Sequence, residues 1–143
     1  MEVVCTGNIC RSPIGEVVLR AKLAEAGISD VVVTSSGTGG WHEGDPMDSR
    51  AAAALRRHGY DGRAHRAREF DRAWFDERDL VLAMDAGHLA ALTRQARGRV
   101  DVPISLFADA DVPDPYYGAD AGFDEVLRQI SKAADEWVDR LRT

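Results

Sequence analysis

Apolar residues in this chain fall into short β-branched runs separated by longer stretches in which they recur every three to four positions. The first run is VVC at residues 3–5. It is followed at 12–27 by SPIGEVVLRAKLAEAG, where Ile14, Val17, Val18, Ala21, Leu23 and Ala24 keep near-helical spacing and Gly27 marks a stop. DVVVTSS at 30–36 predicts a second strand. Beyond the glycine-rich loop GTGGWHEGDPM, Asp48 or Ser49 stands where the cap of an alanine-rich helix, RAAAALRRHG, belongs. DLVLAMD at 79–85 predicts a buried strand, AGHLAALTRQA a helix and VDVPISLF a last strand. The polar loop ADADVPDPYYG then leads to a closing helix over 121–142 with Phe123, Val126, Leu127, Ile130, Ala134, Trp137 and Leu141 on one face. Strand followed by helix, repeated, implies right-handed crossovers. The expected fold is α/β, a single four-stranded parallel sheet flanked by helices on both faces. No repeat, low-complexity tract or linker divides residues 1–143, so one domain is expected.

Composition narrows the function classes. With 143 residues, 45% of them hydrophobic, the chain is long enough to bury roughly two-thirds of its unfolded surface. No run of about 18 apolar residues is present, and the start lacks the basic-then-apolar order of an export signal. A cytosolic protein without a membrane partner is expected. The formal charge of −6 argues against broad binding to nucleic acid, while leaving room for a local basic pocket. The two cysteines, Cys5 and Cys10, share one short stretch and cannot staple a fold. In a reducing compartment such a pair points to catalysis or redox chemistry.

Placement gives that stretch, CTGNICRS, its meaning. In open parallel sheets ligands bind beyond the carboxyl ends of the strands, and Cys5 sits at the end of the first. Between Val4 and Pro13 the chain must turn sharply: Gly7 is able to take positive φ, Asn8 tolerates left-handed geometry, and Pro13 suits a first helical turn. Wound so, residues 6–12 turn successive N–H groups inward above a helix N-terminus, which makes an anion cradle. Arg11 completes it with a guanidinium suited to a phosphate-like oxyanion. The same field, with the Ser12 hydroxyl, favours ionised sulfur at Cys5, a nucleophile aimed at phosphorus.

VCTGNICRSP at the first strand-to-helix turn, together with DPYYG late in the chain, resembles the low-molecular-weight protein tyrosine phosphatases over nearly the whole length. The resemblance implies a metal-independent, cofactor-free hydrolase acting on phosphotyrosine-containing proteins or aryl phosphates through a cysteinyl phosphate. Carried onto this sequence, it implies Cys5 as nucleophile, Arg11 as phosphate clamp, and Ser12 as stabiliser of the thiolate. Thr6, Gly7, Asn8, Ile9 and Cys10 form the rest of the phosphate loop. Asp114 is the implied general acid, which then assists water. Asn8, Ser36 and His65 are implied structural support for the loop, and Trp41, Tyr116 and Tyr117 are implied to flank the substrate ring in a slot whose depth selects aryl phosphates over shorter phosphoserine. A monomer is expected.

Other readings are weaker on the same residues. Arsenate reductases of this architecture need cysteines downstream, and none follows Cys10. Phosphoarginine phosphatases carry threonine where Ile9 stands and lack the double tyrosine. A non-catalytic phosphate-binding module would be expected to have lost the nucleophile or the acid. Cys10 either packs beneath the loop or traps oxidised Cys5 as a disulfide. His65 reads as structural rather than catalytic, and His42, His58 and His88 lie at no metal spacing. Arg56, Arg57, Arg63, Arg66 and Arg68 predict a solvated face, with docking of an acidic substrate segment as the weaker alternative. Glu2 falls where a central strand wants an apolar residue, which implies a frayed strand start or a longer natural chain. Gly15, inside a helix, is expected to cost about 1 kcal/mol or less relative to alanine.

Overall fold

The sheet found in the computed structural model, which describes residues 1–98 and 102–142, is built from strands of only three or four residues. In chain order the elements are β1 (Glu2–Cys5), α1 (Arg11–Glu25), β2 (Thr34–Gly37), α2 (Ser49–Arg57), a 3₁₀ turn (Arg72–Asp76), β3 (Val81–Ala83), α3 (Ala86–Ala96), β4 (Ile104–Leu106) and α4 (Ala121–Leu141). The strands lie in the order β2-β1-β3-β4, all parallel, with Val3 level with Ser35 on one side and Leu82 on the other. The chain therefore leaves β1 toward β2 and later returns to β1's other side. That reversal places a crevice at the carboxyl end of β1.

Alternation along the strands sorts the core into two layers. Val3, Leu82 and Met84 pack with Ile14, Val18 and Leu19 of α1, Leu55 of α2, and Phe123, Leu127 and Ile130 of α4. Val4, Val81 and Ala83 face the other way, against Phe70, Phe75 and α3's Leu92 and Ala96. Gly15 belongs to this packing: a Cβ there would sit 2.7 Å from Met84 Cε and 3.2 Å from Val3 Cγ1. The missing methyl lets α1 lie close on the sheet, so the helix-propensity cost is offset by contact.

Several sequence expectations change. The second strand begins at Thr34, not at residue 30, because β1 starts at Glu2 and the register Glu2 to Thr34 leaves the preceding valines no partner strand. Val33 is buried and Val32 is 72% exposed; Met1 donates its amino group to Val32 O at 2.8 Å, and Arg20 Nε donates to Val33 O at 2.9 Å. β1 is not frayed: Glu2 is fully buried, its Oε1 accepting from Arg78 Nε at 2.9 Å and from the Thr34 hydroxyl. On α1 the buried stripe takes in Leu19, and Ala24 is exposed. On α4 it takes in Ala133 and Val138, while Leu141 is half-buried. Residues 100 and 101 of the predicted last strand lie outside the described residues.

Candidate active site

The crevice beyond β1 is a cavity of about 330 Å³. Its floor is Cys5 and the loop that follows, and Arg11 lines it as the first residue of α1. The loop's shape follows from where its carbonyls go. Cys5 O accepts from Thr38 N at 2.8 Å, Thr6 O from Gly39 N at 3.1 Å, Ile9 O from Asp48 N at 2.9 Å and Cys10 O from Ile14 N at 3.1 Å. Asn8 O accepts from His65 Nε2 at 2.7 Å. These carbonyls are engaged by donors from the surrounding protein rather than by a partner within the loop. The left-handed turn falls on Asn8 (φ 59°), while Gly7, expected to take positive φ, does not. A Cβ at Gly7 would meet His42 Cδ2 at 2.9 Å, so a larger residue there would push the His42 ring aside. Gly37 lets the loop approach β2, where a Cβ would lie 2.5 Å from Thr6 O.

Beneath the loop runs a buried polar network. Asn8 Nδ2 donates to Ser12 Oγ at 2.8 Å and to Ser35 Oγ at 3.0 Å, Ser35 Oγ donates to Glu16 Oε1 at 2.7 Å, and Asn8 Oδ1 accepts from Arg68 N at 3.0 Å. The serine whose hydroxyl meets Asn8 is thus Ser35. Ser36, the expected one, contributes its carbonyl, which accepts from Ser12 Oγ at 3.2 Å, and its own hydroxyl has no partner. The strand pleat explains the exchange, because adjacent residues point to opposite faces of the sheet. Ser12 Oγ lies 3.0 Å from Cys5 Sγ. His65, bonded to a carbonyl, carries its proton on Nε2; burial pushes its pKa below the ordinary value, and the bond to Asn8 opposes this.

Arg11, 3% exposed, is fixed at one end of its fork: Nη1 donates to Asp85 Oδ2 at 2.8 Å and to Val112 O at 3.0 Å, and Nη2 donates to Thr6 Oγ1 at 3.3 Å. Asp85 also caps α3 by accepting from His88 N at 2.9 Å. Burial works against its charge, but the His88 N–H and the Arg11 guanidinium outweigh it and hold the carboxyl below its ordinary value. Asp114 lines the cavity with Oδ2 3.6 Å from Arg11 Nη2, while its Oδ1 accepts from Tyr116 N at 3.1 Å.

Trp41, 74% exposed, and Tyr117, 91% exposed, stand at the mouth beside the partly exposed Tyr116. They form an open rim rather than closed walls. Arg50 secures this side by donating to Tyr116 O at 2.9 Å, its guanidinium 5.4 Å from the centre of the Tyr116 ring. Cys10 is buried and free, and burial first, then the Asp48 carboxylate, push its thiol well up. Cys5, Thr6, Gly7, Ile9, Cys10, Arg11, Trp41, Asp114, Tyr116 and Tyr117 therefore meet at one cavity, with Asn8, Ser12, Ser36 and His65 behind the loop. Sequence reasoning missed Asp85, His88, Ser35, Arg50 and the cavity-lining role of His42. Asp85 had one usable signal, a cap position at the end of a buried strand in a sheet that opens its crevice there.

A parallel sheet with a sulfur and a buried guanidinium sharing the loop after its first strand defines an α/β protein of the phosphatase class. The chain belongs to the low molecular weight phosphotyrosine protein phosphatase family, whose model matches residues 1–143. A low molecular weight protein-tyrosine-phosphatase of Streptomyces coelicolor is 49% identical over 142 residues, covering 92% of this chain and 86% of the relative. Among solved structures, a protein tyrosine phosphatase from Entamoeba histolytica, with Hepes in its active site, superposes with a TM-score of 0.94 at 29% identity, covering 99% of this chain and 95% of the other. A Drosophila arginine phosphatase superposes with a TM-score of 0.93 at 25% identity, covering 99% and 97%.

Proposed function

We propose that the protein hydrolyses phosphotyrosine in proteins through a cysteinyl-phosphate intermediate. The observation that carries this is Cys5 Sγ, 3.0 Å from Ser12 Oγ, at the base of a loop in which the carbonyls of Thr6, Asn8, Ile9 and Cys10 are held by donors outside it. Residues 6–12 are left to offer N–H groups to a phosphoryl group above the sulfur. Arg11 keeps its Nε–H and one Nη2 hydrogen for that group, since Asp85, Val112 and Thr6 take the other three. In the first step Cys5 Sγ attacks phosphorus, the bond from phosphorus to the aryl oxygen breaks, and Asp114 gives that oxygen a proton. In the second, water attacks phosphorus, its proton passes to Asp114, and the phosphorus–sulfur bond breaks.

The aromatic rim of Trp41, Tyr116 and Tyr117 and the apolar Ile9 at the cavity supply flat contact for a phenyl ring. Phosphoarginine is the second reading, favoured by the likeness to the arginine phosphatase; it sets a cationic leaving group against Arg11 with no added carboxylate to receive it. Phosphate release from peptides carrying phosphotyrosine, phosphoserine or phosphoarginine, with a chelator present, separates the readings. Phosphotyrosine is expected to be hydrolysed fastest by a wide margin. Cys5→Ser is expected to abolish turnover yet keep binding inorganic phosphate, and turnover surviving in that variant would sink the covalent mechanism.

A further inference from the structure

His88 is a buried imidazole, on the first turn of α3, to which the mechanism above gives no task. Its Nε2 lies 2.8 Å from Thr6 Oγ1, and Thr6 Oγ1 is also 3.3 Å from Arg11 Nη2. A guanidinium only donates, so the threonine oxygen must accept from Arg11, and its single hydrogen must point elsewhere. The imidazole is the partner in reach.

We infer that His88 is a positioning residue for the phosphate clamp: its Nε2 accepts the Thr6 hydroxyl hydrogen and so turns the Thr6 oxygen toward Arg11. The inference rests on the role proposed for Arg11. With Nε2 an acceptor, the ring proton sits on Nδ1, which lies 3.1 Å from Asp85 Oδ1, off the line of a good hydrogen bond. Asp85 Oδ2 in turn takes Arg11 Nη1 at 2.8 Å. The ring of four residues is closed between Asp85 and His88 by the His88 backbone N–H, 2.9 Å from Asp85 Oδ1, and both nitrogens at the tip of the Arg11 fork are held from the side. The tip of the fork is thereby held before any ligand arrives, with the Nε–H and one Nη2 hydrogen left uncommitted. Without an acceptor at His88 the hydroxyl rotates freely, and its hydrogen competes with Arg11 for the same space.

The charged groups around the ring agree with a neutral His88. Arg11 faces it from α1, Asp85 from the α3 cap, and Asp111 and Asp114 from the loop after β4. Burial and then Arg11 push the imidazole down, the three carboxylates opposing them. A protonated ring would donate to Thr6 and release the hydroxyl hydrogen that the neutral ring holds.

The test begins on the unaltered chain. Nitrogen-15 spectra of histidine-labelled protein at pH 7 should show His88 protonated on Nδ1 and bare on Nε2, and the opposite tautomer would overturn the inference. Inorganic phosphate binding is then measured by calorimetry in the Cys5→Ser background, which is independent of turnover. Adding His88→Ala or Thr6→Val should each weaken binding about tenfold, the size of one lost hydrogen bond. The pair together should weaken it no further. His88→Gln, which sets an amide oxygen near Thr6, should restore most of it. Losses that multiply in the double variant, or no rescue by glutamine with the thermal midpoint unchanged, would mean that His88 only packs α3. Turnover by Cys5→Ser would overturn the covalent mechanism and leave the tautomer and coupling results standing.

Discussion

Ser12 has one hydroxyl hydrogen and two places to send it, Cys5 Sγ at 3.0 Å and Ser36 O at 3.2 Å. Its oxygen already accepts from Asn8. A thiol at Cys5 donates to Ser12, which then donates to Ser36 O; a thiolate receives the Ser12 hydrogen instead. The loop therefore fits either state of the sulfur by rotating one bond. Asp114 has no such alternative: Oδ1 is tied to Tyr116 N, and Oδ2 faces the cavity. Its proposed value depends on how badly the leaving oxygen needs a proton, and general acid catalysis contributes about 10²- to 10⁴-fold. Asp114→Asn is expected to slow phosphotyrosine cleavage within that range and to slow the phenolate burst from an activated aryl phosphate far less. Equal losses in both burst rates would mean that Asp114 only shapes its loop. Asp111 is no ready substitute, since its Oδ1 accepts from Ala86 N at the start of α3. That Cys5, Arg11 and Asp114 meet at one cavity was legible in the sequence, because each stands in a short local motif on which the family resemblance rests. Ser35, Asp85 and His88 were not, because what they touch is set by strand register and by the meeting of α3 with the loop.

At the scale of elements, the helices over 86–96 and 121–141 were read within a residue, because their apolar spacing and polar flanks coincide. β1 was misread at its start, because a buried carboxylate in a central strand makes sense only once its partners are known. Glu2 Oε1 bonds Arg78 and Thr34, and Arg68 Nη2 lies 3.6 Å from Oε2. The Trp74 ring contacts both guanidiniums, with centroid distances of 4.4 Å to Arg68 and 4.8 Å to Arg78. This cluster sits at the amino end of the sheet, opposite the cavity, and ties β1, β2 and the 3₁₀ turn together. Removing one member of a buried ion pair typically costs about 3–5 kcal/mol, whereas replacing both by apolar groups costs much less. Arg78→Met is therefore expected to lower stability by about that amount in urea titrations while leaving kcat unchanged below the unfolding range. The pair Glu2→Met and Arg78→Met should be more stable than Arg78→Met alone. A double variant as weak as the single would mean that stacking on Trp74, not the stranded carboxylate, sets the loss.

For the whole molecule, the pKa shifts set the pH of greatest stability, and their signs can be worked through group by group. His65 and His88 are held below their ordinary 6.5, and the Met1 amine below its ordinary 8.0, in each case with burial as the largest cause. For such groups the unfolded chain takes up protons that the folded chain refuses, so stability is complete above the unfolded pKa and is lost as pH falls through the gap. The fold therefore weakens first as pH drops below about 8, from Met1, and more below about 6.5, from the histidines. Asp48 and Asp85 are also held low, so a further loss follows below about 4. On the alkaline side the signs reverse. Burial raises the Cys10 thiol above its ordinary 9.0, and the Asp135 partner raises Lys22 above its ordinary 10.5. The unfolded chain gives up these protons first, so stability declines above about pH 9. The maximum is thus expected near pH 8 to 9, above neutrality, in urea midpoints measured at fixed ionic strength under reducing conditions. Cys10→Val should remove the first alkaline decline, and His65→Gln with His88→Gln should flatten the region between pH 7 and 5. A wild-type midpoint that holds constant from pH 7 to 5, or that peaks at pH 6, would show that the buried histidines are not what limits this fold in acid.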